Sequence, residues 1–536
     1  MTTGPPAILA EYEGAEAGRR GGRGPALGRW RLLDIAVIGV PCAIAAALAF
    51  YEITARSLWL DEAASVAIAS QHGAALWHAM EHDGGNMLAY YALLHLLIGL
   101  FGDGELVIRF CSAAAAAATA AIVSLLARRL FGRQVAVAAG LLTAVSLPLV
   151  YWGQDARGYA LMITFITASF LAFVSLAEGE AGAPASRWAW LAYVAATVLA
   201  AYMSFEALLI VPAQLVALVA ARRPLRRVVS AVAVLAGCCL PLLILAERRG
   251  SGQLFWVPKP GRTQLHQMLE ALTSSGLQPN FHLTATGTPL LLLSLALLVA
   301  AAAAVARGMR NRGWDHRGSW PQALVLCWLV IPVGLGLLES YLVQPITLPR
   351  AALVSLPAAS LLLAWGALHR RLPRPLGWTV IGVVLVLRGL QLAPSYGVSP
   401  ENWRAATAHV LASARPGDCI AFYPSDGSQA FQYYVGAAAA GRAPRSVLPV
   451  VPWNEVKPYV EDYVSPSSSR TSQIEASCPR LWFVSSHRGQ RTGPPASRAD
   501  YVRYRALLRS LTSGYRRHET VSYGWASPVR VELLTR

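Results

Sequence analysis

Two acidic segments and a few isolated cations are the places where this sequence could do chemistry. Trp59-Leu60-Asp61-Glu62-Ala63 sets two carboxylates side by side, a few residues after a long apolar run. At a membrane boundary such a pair could serve as a general base and its orienting partner, and partial burial would raise an Asp pKa and make it a better base. A solvated loop edge accounts for the same spacing. Gln154-Asp155-Ala156-Arg157-Gly158-Tyr159 puts an acid and a guanidinium two residues apart. A local ion pair explains that arrangement; alternatively Arg157 holds a phosphate while Asp155 orients it or an acceptor. His82-Asp83, with His78 and His95 nearby, could bind a divalent metal, although the spacing matches no strong metal motif and fits solvated loop residues. Arg350 follows Gln344-Pro345-Ile346-Thr347-Leu348-Pro349 at the start of an apolar run. It either snorkels to the interface or faces a cavity and pairs with a lipid phosphate. Lys259 and Arg262 lie in a connection longer than usual, a setting that favours a binding role.

The elements that position these residues are membrane helices. Hydrophobic residues make up 55% of the chain and charged residues 14%, against about 25% charged in ordinary globular proteins. The apolar residues fall in runs long enough to cross roughly 30 Å of hydrocarbon, where only a helix satisfies its own backbone. The runs predict about eleven spans: 32–54, 105–127, 134–151, 158–177, 188–203, 205–221, 228–246, 287–306, 321–340, 350–368 and 376–394. Residues 86–101 are also apolar, but counting them as a span would place Arg128, Arg129 and Arg133 on the wrong side and reverse every later loop. They read as a helix lying in the interface, with a weaker one over 63–80. A cleaved signal peptide is the rival reading of the first run; the long leader, Asp34 and Pro41 argue against it.

A net charge of +17 looks like a nucleic-acid signal. The arginines instead gather in alternate short loops, as Arg128–Arg133, Arg187, Arg222–Arg227, Arg307–Arg317 and Arg370–Arg374. That pattern orients a membrane protein with its N-terminus inside, and no nucleic-acid partner is expected. Residues 1–30 read as a disordered cytoplasmic tail and 31–394 as the membrane domain. Residues 395–536 change composition and read as a soluble α/β domain on the outer face. Cys419–Tyr423, Ser446–Val451 and Leu481–Ser485 suggest strands, Trp403–Ala414 and Ala499–Leu511 helices, and 465–472 a loop. Cys42, Cys111, Cys238, Cys239 and Cys327 fall in apolar runs and read as small buried hydrophobes. Cys419 and Cys478 could pair in an oxidising compartment, but spacing does not establish the pair.

The chain resembles the membrane-embedded GT-C glycosyltransferases, in particular bacterial family 39 enzymes with an RgtA/B/C/D-like domain. These are relatives of protein O-mannosyltransferases and of the lipid A aminoarabinose transferase. The resemblance rests on W-L-D-E-A at 59–63, H-D-G-G-N-M-L-A-Y-Y-A-L-L-H at 82–95 with F-G-D-G-E-L-V-I-R-F at 101–110, and Y-W-G-Q-D-A-R-G-Y-A-L at 151–161. Two departures stand out: Asn86-Met87 replaces a common Pro-Pro or Pro-Leu, and Asp155 stands where Glu is frequent. The resemblance implies a GT-C fold and inverting transfer from a polyprenyl-phosphate sugar to an acceptor hydroxyl on the outer face of the plasma membrane. The acceptor would be a lipid, a glycan or a protein. The resemblance makes Asp61 the catalytic base with Glu62 beside it, and Arg157, Arg350 and Lys259 the donor-phosphate ligands. Asp155, Tyr151, Tyr159, His82 and Asp83 become candidate substrate contacts. It leaves a divalent cation (Mg or Mn) open as cofactor. The rival class is a transporter or flippase of lipid-linked saccharides, which would show inverted repeats and helices broken near the midplane; no such symmetry is visible in the sequence.

Overall fold

The structure, a computed structural model, describes residues 32–178, 186–221, 226–250, 254, 257–276, 285–312, 320–369, 373–450, 466–493 and 495–536. The expected tail at 1–30 and the loop arginines Arg222, Arg223, Arg317, Arg370 and Arg371 lie outside that set. All eleven expected spans are helical. Eight helices are individually long and apolar enough to cross a membrane: Leu32–Phe50, Glu105–Phe131, Tyr159–Ala177, Val228–Arg249, Gly287–Gly308, Trp320–Leu342, Pro349–Leu368 and Arg374–Ser395. The segments Arg187–Met203 and Phe205–Ala220 are shorter. The chain is a multi-pass membrane protein, and its described helices expose side chains such as Val40, Leu240, Leu292, Val299 and Val386 on the outside of the bundle. The first helix stops at Phe50 rather than at Thr54. Among the cysteines of the apolar runs, Cys239 is buried, Cys238 faces outward, and Cys42, Cys111 and Cys327 are half-buried.

The expected span over 134–151 is broken. Helices Arg133–Ala144 and Leu147–Gly153 meet at 55°. Pro148 has no N–H to give to Ala144, and Ser146 N–H bonds the Thr143 carbonyl instead of that of Leu142. A carbonyl freed inside an apolar bundle must find another donor. Arg388, fully buried on the last span, donates to the Leu142 carbonyl and, at 3.2 Å, to that of Thr273. The arginine thus joins three helices where one has lost its own ladder.

Between the first span and the second long one come three short helices, Leu60–Ala69, Ala74–His82 and Leu88–Phe101. The last exposes Leu96, Leu100 and Phe101. The expected weak helix over 63–80 is therefore two helices, separated at Gly73, where φ is +55°.

After Ser395 the chain builds a five-stranded sheet: β1 Cys419–Tyr423, β2 Arg445–Leu448, β3 Arg480–Ser485, β4 Arg516–Tyr523 and β5 Val529–Thr535, in the order β2-β1-β3-β5-β4. The first three are parallel, and β5 is antiparallel to both β3 and β4. β1 and β3 are buried almost throughout, as parallel strands covered on both faces must be. β4, missed in the sequence, is a charged edge strand with an almost wholly exposed pattern. The expected loop at 465–472 is the start of a helix, Ser468–Ser477, because the Ser467 hydroxyl caps the Arg470 N–H at 3.2 Å. Cys419 and Cys478 form a disulfide.

Candidate active site

The chain leaves the first span through an extended stretch, Ser57–Trp59, and enters the Leu60–Ala69 helix. That stretch makes few hydrogen bonds to its own neighbours. The C-terminal unit supplies the partners. Ser57 N–H donates to Ser399 Oγ at 3.0 Å and Leu58 N–H to the Tyr434 hydroxyl at 2.7 Å. Tyr434 in turn donates to Glu105 at 2.7 Å. Arg404 donates to the carbonyls of Thr54 and Ala55 at 2.8 and 3.1 Å and pairs with Glu105. The helix has no side-chain cap of its own, and the buried Glu401 carboxylate lies near the Leu60 backbone at its start. Glu401 accepts from Trp403 at 2.7 Å and faces His487 at 3.5 Å. Leu60 and Ala63 pack in one apolar cluster with Trp403, Phe422 and Phe431.

Directly behind this helix lies a buried polar layer. Glu62 is bonded by Arg109 on both carboxylate oxygens at 2.8 Å and accepts the Ala156 N–H at 2.8 Å. Arg109 also holds the carbonyls of Ile53 and Arg56 at 2.8 and 3.0 Å. Burial pushes the Glu62 carboxyl up, but the Arg109 guanidinium outweighs it and holds the group below its ordinary range. Asp155 behaves oppositely: burial, then the Glu62 charge, push its carboxyl well up. Its Oδ1 accepts from Trp59 Nε1 at 2.9 Å. Its Oδ2 has no hydrogen-bond partner among the described residues. Tyr151 is also in this layer, its ring under Arg56 at 4.0 Å. Arg56 bonds the carbonyls of Tyr151 and Gln154 at 3.0 and 3.2 Å.

Asp61, one residue away on the helix, points the other way. Its side chain is 34% exposed, and Oδ2 lies 3.7 Å from Arg157 and 3.8 Å from Arg350. Arg157 reaches the hydroxyls of Ser65 and Tyr91, each at 3.3 Å. Tyr91 donates to Asp83 at 2.8 Å. Burial raises the Asp83 carboxyl to about 6, against the opposing pull of Arg157. Burial, then Arg249, lowers the His82 imidazole to about 4. Tyr159 stands between the cations, its ring 5.4 Å from the Arg350 guanidinium and 6.0 Å from that of Arg157. Gly158 makes this possible: a Cβ there would sit 2.9 Å from the Met203 carbonyl oxygen.

Arg350 and Tyr159 open onto a cavity of about 580 Å³. Phe205, Leu209, Leu254, Val257, Ile346 and Leu348 form its apolar walls, and Asn86, Glu206, Glu247 and Arg249 bring polar groups into it. Its size and its few convergent polar groups fit a small-molecule site. Asn86, one of the two departures from the family pattern, is in the lining, while the next residue, Met87, is buried at φ +58°.

The structure thus brings Asp61, Arg157, Arg350, Tyr159 and Asp83 together around one open point. It sets Glu62, Asp155 and Tyr151 behind the wall, where they brace the helix. Lys259 is exposed and is not in the cavity lining. His95 bonds the Ala69 carbonyl at 2.7 Å, and among the described residues no group of three or more His, Cys, Asp or Glu gathers to hold a metal. Arg109, Tyr91, Glu206 and the tail residues Glu401, Arg404 and Tyr434 were not singled out in the sequence. Arg109 does fall within the 101–110 segment that carries the resemblance.

The comparisons with known proteins agree with the fold. Residues 86–246 match the family model described as dolichyl-phosphate-mannose-protein mannosyltransferase. No curated protein matches the sequence. ArnT from Cupriavidus metallidurans in its apo state is similar in structure, with TM-score 0.59 and 14% identity over 92% of this chain and 97% of that one. The same protein bound to undecaprenyl phosphate gives TM-score 0.55 and 12% identity over 93% and 98%. The oligosaccharyltransferase of Archaeoglobus fulgidus in its apo form gives TM-score 0.53 and 12% identity over 93% of this chain and 74% of that one. The chain therefore has the GT-C fold, and the resemblance read in its sequence stands.

Proposed function

From a chain with the GT-C fold, we propose an inverting glycosyltransferase that moves a sugar from a polyprenyl-phosphate donor to an acceptor hydroxyl at the outer face of the plasma membrane. One observation carries the reading. An accessible carboxylate, Asp61, stands 3.7 and 3.8 Å from two guanidiniums, one of which, Arg350, lines a cavity in a membrane bundle. ArnT of the same fold is known bound to undecaprenyl phosphate, which supports a lipid-phosphate ligand here.

The reaction follows from the charges. Arg350 and Arg157 bind the donor phosphate, while the lipid tail stays in the bilayer. The acceptor hydroxyl meets Asp61, which takes its proton as the new bond from acceptor oxygen to the anomeric carbon forms. The bond from that carbon to the phosphate oxygen breaks on the opposite side, and its electron pair leaves with polyprenyl phosphate. The guanidiniums stabilise the charge growing on the leaving group, so no strong general acid is required. One displacement inverts the anomeric centre. Glu62 and Asp155 act from behind, fixing the helix that aims Asp61. The membrane part, 31–394, carries this chemistry, and the unit at 395–536 closes over it from outside. The disulfide between Cys419 and Cys478 supports an oxidising, extracytoplasmic side for that unit.

The test is transfer of labelled sugar and release of polyprenyl phosphate, measured with a panel of polyprenyl-phosphate sugars and membrane extract. Wild type is expected to transfer with at least one donor, and Asp61→Asn to lose roughly 10²–10⁴-fold. Equal rates for both would remove Asp61 from its role. Translocation of a lipid-linked saccharide without transfer would replace the enzyme by a transporter.

A further inference from the structure

The donor cavity holds a carboxylate that the mechanism above does not use. The helix Arg187–Met203 ends at Ser204, whose backbone is extended with φ −167° and ψ 137°. A short 3-10 turn, Phe205–Leu209, then carries Glu206 to the cavity wall. Its Oε2 is buried and takes no hydrogen bond among the described residues. Arg350, which also lines the cavity, lies within its electrostatic reach. A buried carboxylate oxygen without a donor is costly, and the buried polar atoms of native proteins are as a rule hydrogen-bonded. In its ionised form, which the Arg350 guanidinium favours, Glu206 is an acceptor only. What completes it must therefore bring a donor, and what repels it is a second anion.

Resting on the donor reading given above, we infer that Glu206 reads the glycosyl head of the donor and that this head carries hydroxyl groups but no acidic group. Arg350 and Glu206 bring opposite charges to the cavity, whose lining also holds Glu247 and Arg249. Arg350, next to Asp61, takes the phosphate. Glu206, on the segment that follows the tight contact between Gly158 and Met203, takes a sugar hydroxyl. A uronic acid in the same place would set two carboxylates against each other inside an apolar wall, where like charges are least screened. A neutral sugar instead satisfies the orphaned oxygen. Glu206 is thus a specificity residue, and it selects against uronosyl donors.

The experiment uses the full chain in lipid nanodiscs with matched donors on one polyprenyl phosphate: glucosyl and glucuronosyl, galactosyl and galacturonosyl, mannosyl and mannuronosyl. Both binding and kcat/KM for transfer are measured for wild type, Glu206→Gln and Glu206→Asp, each checked for an unchanged unfolding midpoint. Wild type is expected to prefer the neutral member of its best pair by at least roughly tenfold, the effect of one unfavourable buried polar contact. Glu206→Gln should narrow that ratio by about the same factor, and Glu206→Asp should keep its sign. A uronosyl donor used as well as its neutral partner, or a ratio untouched in Glu206→Gln, overturns the inference. Binding that prefers neutral sugars with no transfer would sustain Glu206 and sink the transferase reading. No binding of any donor would sink both.

Discussion

Asp61 and Glu62 show how far one residue step on a helix separates two carboxylates. Asp61 is 34% exposed and faces Arg157 and Arg350; Glu62 is 2% exposed and bonded twice by Arg109. Removing one partner of such a buried pair costs about 3–5 kcal/mol, because a lone charge is left behind. The adjacent acids were legible in the sequence, but their division of labour was not, since it depends on Arg109, an isolated cation in an alanine-rich span. Arg157 and Arg350 were found because cations at helix ends facing one side point to an anion. Glu206 was passed over as a single acid inside an apolar run. At this scale the titration of Asp83 gives a testable sign. Its raised carboxyl, at about 6, is neutral below that pH and charged above it. Above it, Asp83 offsets part of the Arg157 field that a donor phosphate would feel. A sugar-phosphate diester keeps one charge over this range. Asp83→Asn should therefore bind the donor roughly three- to tenfold more tightly than wild type at pH 7.5, the scale of about 1 kcal/mol for one charge pair. The gap should close by pH 5; a gap independent of pH in a binding titration would rule the account out. By linkage, the folded chain holds this proton more tightly than the unfolded one, so the group's contribution to stability is fullest below 3.8 and declines as pH rises to about 6.

Among the elements, the stretch Ser57–Trp59 and the helix after it owe their position to residues 399–434. Such a tie is invisible to periodicity and propensity, which see only local sequence. The break at 144–147 was equally hidden: Pro148 marked it, but a proline near a helix start is common, and only Arg388 on a distant span reveals that the freed carbonyl is used. The clamp on the Ser57–Trp59 stretch yields a prediction. Tyr434→Phe keeps the ring and deletes the group that accepts the Leu58 N–H and bonds Glu105. A buried donor left unsatisfied costs about 1–3 kcal/mol. The Asp61 carboxylate should drift while Arg157 and Arg350, carried by other elements, stay in place. Steady-state kinetics should then show kcat reduced about tenfold with the donor KM unchanged. A raised donor KM with normal kcat would mean that the clamp shapes the phosphate site instead.

For the whole molecule, eleven helical segments and a terminal α/β unit were readable from apolar run lengths and from the change in composition after 394. The charged edge strand β4 and the Ser468–Ser477 helix were not, because neither shows an apolar period. The seating of the sheet against the Asp61 helix was not readable either, since it joins parts far apart in the chain. The disulfide closes a loop of 59 residues. By the loop-entropy account its loss costs the terminal unit about 4 kcal/mol. The double variant Cys419→Ser, Cys478→Ser should melt that unit first in a thermal scan. Transfer should fall at the same temperature, while donor binding, whose cavity is lined by residues between 84 and 350, persists to higher temperature. Simultaneous loss of both would show that the cavity too depends on the terminal unit.

The same clamp has a consequence in time. Ser57 and Leu58 are synthesised early, and their partners Ser399 and Tyr434 follow 342 and 376 residues later. At about 5–20 residues per second that interval is roughly 17–75 s. Throughout it the Asp61 helix is braced from behind by Glu62 and Arg109, but its outer side lacks the partners that the terminal unit brings. A nascent chain shorter than 434 residues therefore holds Asp61 from one side alone, and the proposed site is complete only after Tyr434 has emerged.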